Sequence, residues 1–263
     1  MKIRLMILSV IIICGSNILF AQSKDTIDLK TFFHGHPGAF VLFDMNNNKY
    51  FRYNDSRCAE RFLPASTFKI PNSLIGLETS VIKDEYFVIK WDGTTRPIKE
   101  WNRDHTLASA IKYSVVPYYQ ELARRVGKNT MVTYLNKLDY GNKTIGKEVD
   151  RFWLDNSLKI SANEQVEFLK RFYNYNLQIS KHSINIVKNI LPEEKYDRSV
   201  LKFKTGTGIK EDKKYIGWLV GYVEKAKDVY LFAFNVDSGT FDEVSQLRNK
   251  ASREILKYMK VIE

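Results

Sequence analysis

A hydroxyl and an amine stand three positions apart in Pro64-Ala65-Ser66-Thr67-Phe68-Lys69-Ile70-Pro71-Asn72, at what reads as the first turn of a helix. Residues i and i+3 share a helix face, so the Lys69 amine can reach the Ser66 oxygen. A serine attacks poorly until a neighbouring base takes its proton. The N-terminal end of a helix also presents backbone N–H groups to a developing oxyanion. The chemistry this suits is acyl transfer.

The spacing alone is common. It recurs at Ser80/Lys83, Ser109/Lys112 and Ser199/Lys202. Ser199/Lys202 falls in an apparent strand, where i and i+3 point to opposite faces. Ser80/Lys83 sits at the ragged end of the helix that Ser66 opens, and no helix start signal precedes Ser109. The ordinary meaning of such a pattern is an N-cap serine followed by a surface lysine. Further chemistry-bearing residues decide the matter.

Lys204-Thr205-Gly206 places a lysine and a glycine within a strand. A strand glycine marks a close approach to the backbone, and N–H groups beyond it can bond a ligand or an oxyanion. Ser114-Val115-Val116 follows a short helical turn and precedes Pro117, which puts a second hydroxyl on a loop. Tyr140-Gly141-Asn142 reads by default as a turn. His34, His36, His105 and His182 are the only histidines, and no third ligand completes His34-Gly35-His36 at motif spacing. A zinc site is therefore not expected.

The elements that must position these residues follow from periodicity. Residues 39–44 and 49–53 read as strands joined across Asn46-Asn47-Asn48. From about Ser66 to Leu191 the pattern is mainly helical, with apolar residues at helical spacing over 116–126, 130–138, 162–173 and 180–190. Strands return at 200–205, 214–223 and 229–236, and an amphipathic helix closes the chain over 241–259. Strands at both ends imply one mainly antiparallel sheet built from the two termini, with flanking helices and an inserted helical lobe at about 66–191. This is an α+β class. Clefts favour the seam between such parts; Ser66 borders it from one side and the Lys204 strand from the other.

A chain of 263 residues, 44% hydrophobic, can bury a sizeable core. Residues 1–21 stand apart: Lys2 and Arg4, then an apolar run from Leu5 to Cys14, then Leu19-Phe20-Ala21. That is a secretory signal pattern, with cleavage expected after Ala21. Residues 22–263 would then form a single catalytic domain, exported across the inner membrane to the periplasm. The run is short for a membrane span, and a lipoprotein anchor at Cys14 is disfavoured by Ile13, where a small residue is wanted. No later segment is apolar enough to cross a bilayer, so the exported protein is expected to be soluble. Cys58 then stands alone, without an internal disulfide. Loss of Lys2 and Arg4 leaves 39 basic residues against 30 acids, a net charge of +9. The lysines are scattered among acids, as in Lys210-Glu211-Asp212-Lys213-Lys214, with no basic arm of the kind that reads nucleic acid. A positive field would attract a small carboxylate.

In this order, Ser66-x-x-Lys69, Ser114-x-Val116, Tyr140-Gly141-Asn142 and Lys204-Thr205-Gly206 resemble the penicillin-recognising serine acyltransferases. Within that superfamily the chain looks like the class D (oxacillinase-type) serine β-lactamases. The resemblance extends to Arg151-Phe152-Trp153-Leu154 and to Gly217-Trp218-Leu219-Val220-Gly221. Class A enzymes carry S-D-N where this chain has Ser114-Val115-Val116. Class C enzymes share a Tyr-x-Asn but are longer. Transpeptidases and membrane-tethered antibiotic sensors acylate and then stall.

The resemblance implies a β-lactam substrate, no resident cofactor, and carboxylation of Lys69 by CO2 to a carbamate base within a pocket of Phe68, Val116, Trp153 and Leu154. It implies that Ser66 is the nucleophile, that the N–H groups of Ser66 and Thr207 form the oxyanion hole, and that Ser114 relays a proton with the help of Lys204. Thr205, Gly206, Thr207 and Arg248 would hold the substrate carboxylate. An amine reacts with CO2 only when neutral, so Lys69 must be buried in apolar surroundings. Whether the protein is a monomer or a homodimer is left open.

Overall fold

The computed structural model describes residues 28–263. Residues 1–21, where a signal segment is expected, and Cys14 among them, lie outside the described residues. Along the chain run β1 (Gly38–Asp44), β2 (Lys49–Tyr53), α1 (Asp55–Ala59), α2 (Lys69–Glu78), β3 (Val88–Ile89), β4 (His105–Thr106) and α3 (Leu107–Lys112). They are followed by α4 (Val116–Val126), α5 (Lys128–Lys137), α6 (Ala162–Tyr173), α7 (Lys181–Ile190), β5 (Glu193–Lys195) and β6 (Ser199–Ile209). The chain closes with β7 (Tyr215–Lys225), β8 (Asp228–Ser238) and α8 (Phe241–Tyr258).

Six strands form one sheet in the order β2-β1-β8-β7-β6-β5, with every pairing antiparallel. The first and last thirds of the chain meet where β1 pairs with β8, Phe40 opposite Phe234. β7 and β8 are joined by Ala226 and Lys227 alone, and Ala226 takes the left-handed backbone a tight reversal needs. The sheet is covered on both faces, which is why its central strands are apolar at nearly every position. Alternation sorts them: Ala39, Val41 and Phe43 of β1 face one core, while Phe40 and Leu42 face a second core with Val244, Ala251 and Ile255 of α8.

The inserted helical segment packs back onto the sheet. α6 returns to pack on β1 and β8, because the face carrying Ala39, Val41 and Ala233 needs a cover and α6 supplies Val166, Phe168, Leu169 and Phe172 at helical spacing. Ser161 caps α6 reciprocally with Glu164, fixing its start. α5 begins at Lys128, two residues earlier than the apolar periodicity suggests, because Gly127 (φ 79°) breaks α4 there. Among the described residues no helix is long and apolar enough to cross a membrane.

Candidate active site

Ser66 lies on a 3-10 turn, Ala65–Phe68, and the α-helix begins only at Lys69. The expected first helical turn is thus the tighter form. In a 3-10 turn residues i and i+3 eclipse, which brings Lys69 Nζ to 2.8 Å from Ser66 Oγ. The turn is anchored at its entry. Ala65 is left-handed (φ 47°), a conformation costing an L-residue about 1–2 kcal/mol. Its N–H donates to Trp153 O at 3.1 Å. Pro64 O accepts from both the N–H (3.2 Å) and the hydroxyl (2.8 Å) of Thr67.

β6 supplies the opposite wall. A Cβ at Gly206 would stand 2.9 Å from Pro64 O and 3.2 Å from Thr67 N, so the glycine is what lets the nucleophile turn rest on the strand. Beyond Lys202, β5 no longer pairs with β6, leaving an open edge. Phe203 N donates to Pro192 O on the β5 side. N–H direction alternates along a strand, so those of Thr205 and Thr207 face this open edge. Lys204 Nζ lies across the cleft from Lys69, 3.1 Å from Ser114 Oγ and 3.0 Å from Thr205 O. Ser114 is itself left-handed (φ 53°), which turns its hydroxyl from the end of α3 toward β6. Arg248, buried on α8, donates from Nη1 to Gly206 O (3.1 Å) and Thr207 Oγ1 (2.6 Å). Gly217 on β7 opens the way: a Cβ there would lie 3.3 Å from Arg248 Cβ.

The two amines sit in unusual surroundings. Lys69 is 1% exposed, and burial, assisted by the charge of Lys204, holds its pKa well below the ordinary lysine range. Burial, with Arg248 nearby, pulls Lys204 down to about 7. Burial also lowers Arg248, to about 10. Phe68 stacks on Trp153 with centroids 5.5 Å apart and meets Phe152 edge-on at 5.0 Å. The Trp153 indole N–H is fully buried and has no acceptor among the described residues. Val116 and Leu154 line the cleft beside Ser66. Sequence reasoning missed Tyr119, whose ring centroid lies 5.2 Å from Lys69 Nζ and whose hydroxyl lies 2.9 Å from Ser73 Oγ. Its place one turn after Val116 on α4 was the available signal.

The cleft, about 230 Å³, is lined by Ser66, Ser114, Val116, Leu154, Thr205, Gly206, Thr207 and Arg248. Its remaining walls are Ile98, Trp101, Tyr113 and Phe241, an apolar rim that no motif announced. Tyr140-Gly141-Asn142 stays out of the cleft. Tyr140 is buried behind Phe68, its ring centroid 5.7 Å from that of Phe68 in an edge-on contact, and its hydroxyl lies 3.4 Å from Gln165 Oε1. Gln165 in turn donates to Thr67 Oγ1 at 2.9 Å. The motif buttresses the nucleophile turn from behind.

The competing pairs have other uses. Ser109 does have a helix start signal before it: Thr106 caps α3 reciprocally with Ser109, whose hydroxyl oxygen accepts the Thr106 N–H. Ser80 lies in a turn and Ser199 in β6. Cys58 is buried, its thiol donating to Tyr53 O at 3.2 Å. His36 bonds Asp237 O (3.2 Å) and approaches Glu243 (3.6 Å). Among the described residues no group of three His, Cys, Asp or Glu could hold a metal ion.

A family model for the penicillin-binding protein transpeptidase domain matches residues 38–258. Beta-lactamase OXA-48 of Klebsiella pneumoniae is 47% identical over 229 residues, covering 87% of this chain and 86% of that protein. The crystal structure of the class D enzyme FUS-1 (OXA-85) from Fusobacterium nucleatum subsp. polymorphum superposes with a TM-score of 0.85 at 41% identity, covering 89% of this chain and 98% of that one. The class D YbXI structure from Nostoc gives 0.86 at 37% identity, with 90% and 100% covered. With a serine–lysine pair buried at one wall of the cleft and a lysine–serine pair at the other, on this sheet, the chain belongs to the class D serine β-lactamases.

Proposed function

We propose that the protein hydrolyses β-lactams through an acyl-enzyme on Ser66, with Lys69 carboxylated at Nζ as the base for both halves of the reaction. The observation that carries this is Lys69 Nζ, 1% exposed and 2.8 Å from Ser66 Oγ. An amine so placed is held neutral, the form that adds CO2. The unpartnered Trp153 N–H fits the same group, since a buried donor needs an acceptor. Carboxylated, Lys69 would supply a carboxylate-type base beside Ser66 at neutral pH.

The rest falls to the chain's own side chains. Ser66 Oγ gives its proton toward the Lys69 side and attacks the lactam carbonyl. The N–H groups of Ser66 and Thr207 meet the oxygen as it becomes negative. Ser114, 3.1 Å from Lys204 Nζ, passes a proton to the leaving nitrogen. Thr205, Thr207 and Arg248 hold the substrate carboxylate, the guanidinium offering two donors at once. Water entering beside Lys69 then releases the acyl group and restores Ser66. Val116 and Leu154 keep that side of the cleft apolar.

Mixing the purified protein with a chromogenic cephalosporin, with and without bicarbonate, tests this. Sustained turnover is expected, and one equivalent of colour would instead mark a sensor that stays acylated. We also propose that residues 1–21 direct export to the periplasm, where β-lactams are met. Mature protein beginning at Gln22 in the periplasmic fraction is the expected result of N-terminal sequencing, and protein kept in the cytoplasm with an intact N-terminus would overturn it.

A further inference from the structure

His105 takes no part in the chemistry above, yet it is buried to 3% exposure under the cleft's apolar wall. Its Nε2 lies 2.7 Å from Glu100 O, and its Nδ1 lies 2.9 Å from Ser109 Oγ. A carbonyl only accepts, so Nε2 must carry the proton, and Nδ1 is left to accept from the Ser109 hydroxyl. The Ser109 oxygen is simultaneously bonded by Thr106 N–H at 3.0 Å. One imidazole therefore joins two segments, the turn Lys99–Trp101 and the start of α3.

Both segments end in the cleft. Glu100 precedes Trp101, whose indole N–H donates to Tyr113 O at 3.2 Å. α3 leads through Tyr113 into left-handed Ser114, and the His105 ring packs 6.2 Å from the Tyr113 ring. Trp101, Tyr113 and Ser114 all line the cleft, and Tyr113 is 37% exposed there. The clamp lies directly beneath the Trp101–Tyr113 wall, where Trp101 also packs on the main core.

We propose that His105 is a positioning residue: it fixes the Trp101–Tyr113 wall against which the substrate's side chain packs, and through α3 the Ser114 hydroxyl. The inference rests on the β-lactamase reading. Its mark is selective, because the clamp touches substrate capture and acylation and leaves the Lys69 side of the cleft alone.

Three variants test it by stopped-flow acylation and steady-state turnover of a chromogenic cephalosporin. His105→Leu, which fills the space without either bond, is expected to raise KM about tenfold and slow acylation similarly. Deacylation and the bicarbonate response should stay within about twofold. His105→Gln can donate to Glu100 O and accept from Ser109, and should recover to within about threefold of wild type. A folded His105→Leu protein with unchanged KM and acylation overturns the proposal, as does a folded His105→Gln protein no better than Leu. If His105→Leu fails to fold, Ser109→Ala decides: a KM rise with deacylation intact supports the clamp, and wild-type kinetics defeat it. A wild-type protein that acylates without turnover defeats the hydrolase reading instead, and the clamp is then judged on acylation alone.

Discussion

The backbone N–H of Ala65 donates to the carbonyl of Trp153 at 3.1 Å, while the indole N–H of that same tryptophan has no acceptor. One residue thus anchors the nucleophile turn with its main chain and carries a buried, unused donor on its side chain. The two roles are separable by substitution. Trp153→Phe keeps the backbone bond and the stacking on Phe68 but removes the donor. A hydrogen bond to a charged group is worth about 1.5–3 kcal/mol, so the bicarbonate concentration for half-maximal turnover should rise at least about tenfold. The melting temperature should fall by only a few degrees, roughly as for a modest trimming of the core. Titrating bicarbonate against turnover in both proteins checks this, and identical curves would remove Trp153 from the pocket's chemistry.

Lys69 is retained at a cost in stability. Its pKa in the folded chain lies well below the ordinary 10.5, so between those two values the unfolded chain binds a proton that the folded chain does not. Stability therefore rises with pH through that window, and the penalty is complete below the folded value. Lys69→Met removes the buried amine at similar volume. It should raise stability at pH 7, flatten that slope, and abolish deacylation. Denaturant melts at pH 7 and 10, with mass spectrometry of the penicillin adduct, read both effects. Normal turnover by the variant would show that Lys69 is not the base.

The acid limb of the activity should respond to CO2. With Lys69 carboxylated as proposed, protonating its nitrogen would release CO2, and Lys204, held down to about 7 by burial, gains its charge over the same mild range. Turnover is expected to fall below neutral pH and to recover on adding bicarbonate at constant pH. An acid limb indifferent to bicarbonate would point to a bare amine as base.

The sequence reveals the chemistry at this site more readily than its support. Ser66, Lys69, Ser114 and Lys204 could be named because reactive groups at fixed local spacing leave a trace in one dimension. The paired strands and amphipathic helices were legible for the same reason, since their periods are local. The apolar rim was not: Ile98, Trp101, Tyr113 and Phe241 come from three separate segments and meet only in the fold. Tyr140 could be recognised as part of a motif, but only packing shows it behind Phe68 rather than in the cleft. Ser109 was hidden by chemistry: its cap is completed by a serine at the third helical position instead of the usual Glu or Gln.

Arg248 offers the cleft a cationic partner from α8, held by Gly206 O and Thr207 Oγ1. Arg248→Ala should raise KM for penicillin by about ten- to a hundredfold, the worth of a charge-assisted bond. The effect on kcat should be smaller. Arg248→Lys should recover part of the loss, since a single ammonium replaces a fork of donors. A decarboxylated β-lactam should lose the distinction between these proteins. If all three handle the carboxylated substrate alike, the anion is held elsewhere.

Gly206 makes the sharpest demand on the geometry. Its missing Cβ would lie 2.9 Å from Pro64 O and 3.2 Å from Thr67 N, both backbone atoms of the nucleophile turn. Neither can swing aside as a flexible side chain would. Gly206→Ala must therefore push the turn off β6, separating the Ser66 and Thr207 N–H groups that are meant to share one oxyanion. Losing one such donor costs about 10²–10³ in kcat, so acylation should fall by at least that much. Gly208→Ala makes a useful contrast, because its Cβ would meet mainly the flexible Leu63 side chain, at 2.6 Å. It should cost stability more than rate. Comparable acylation by Gly206→Ala and the wild type would mean that the oxyanion is stabilised without the help of β6.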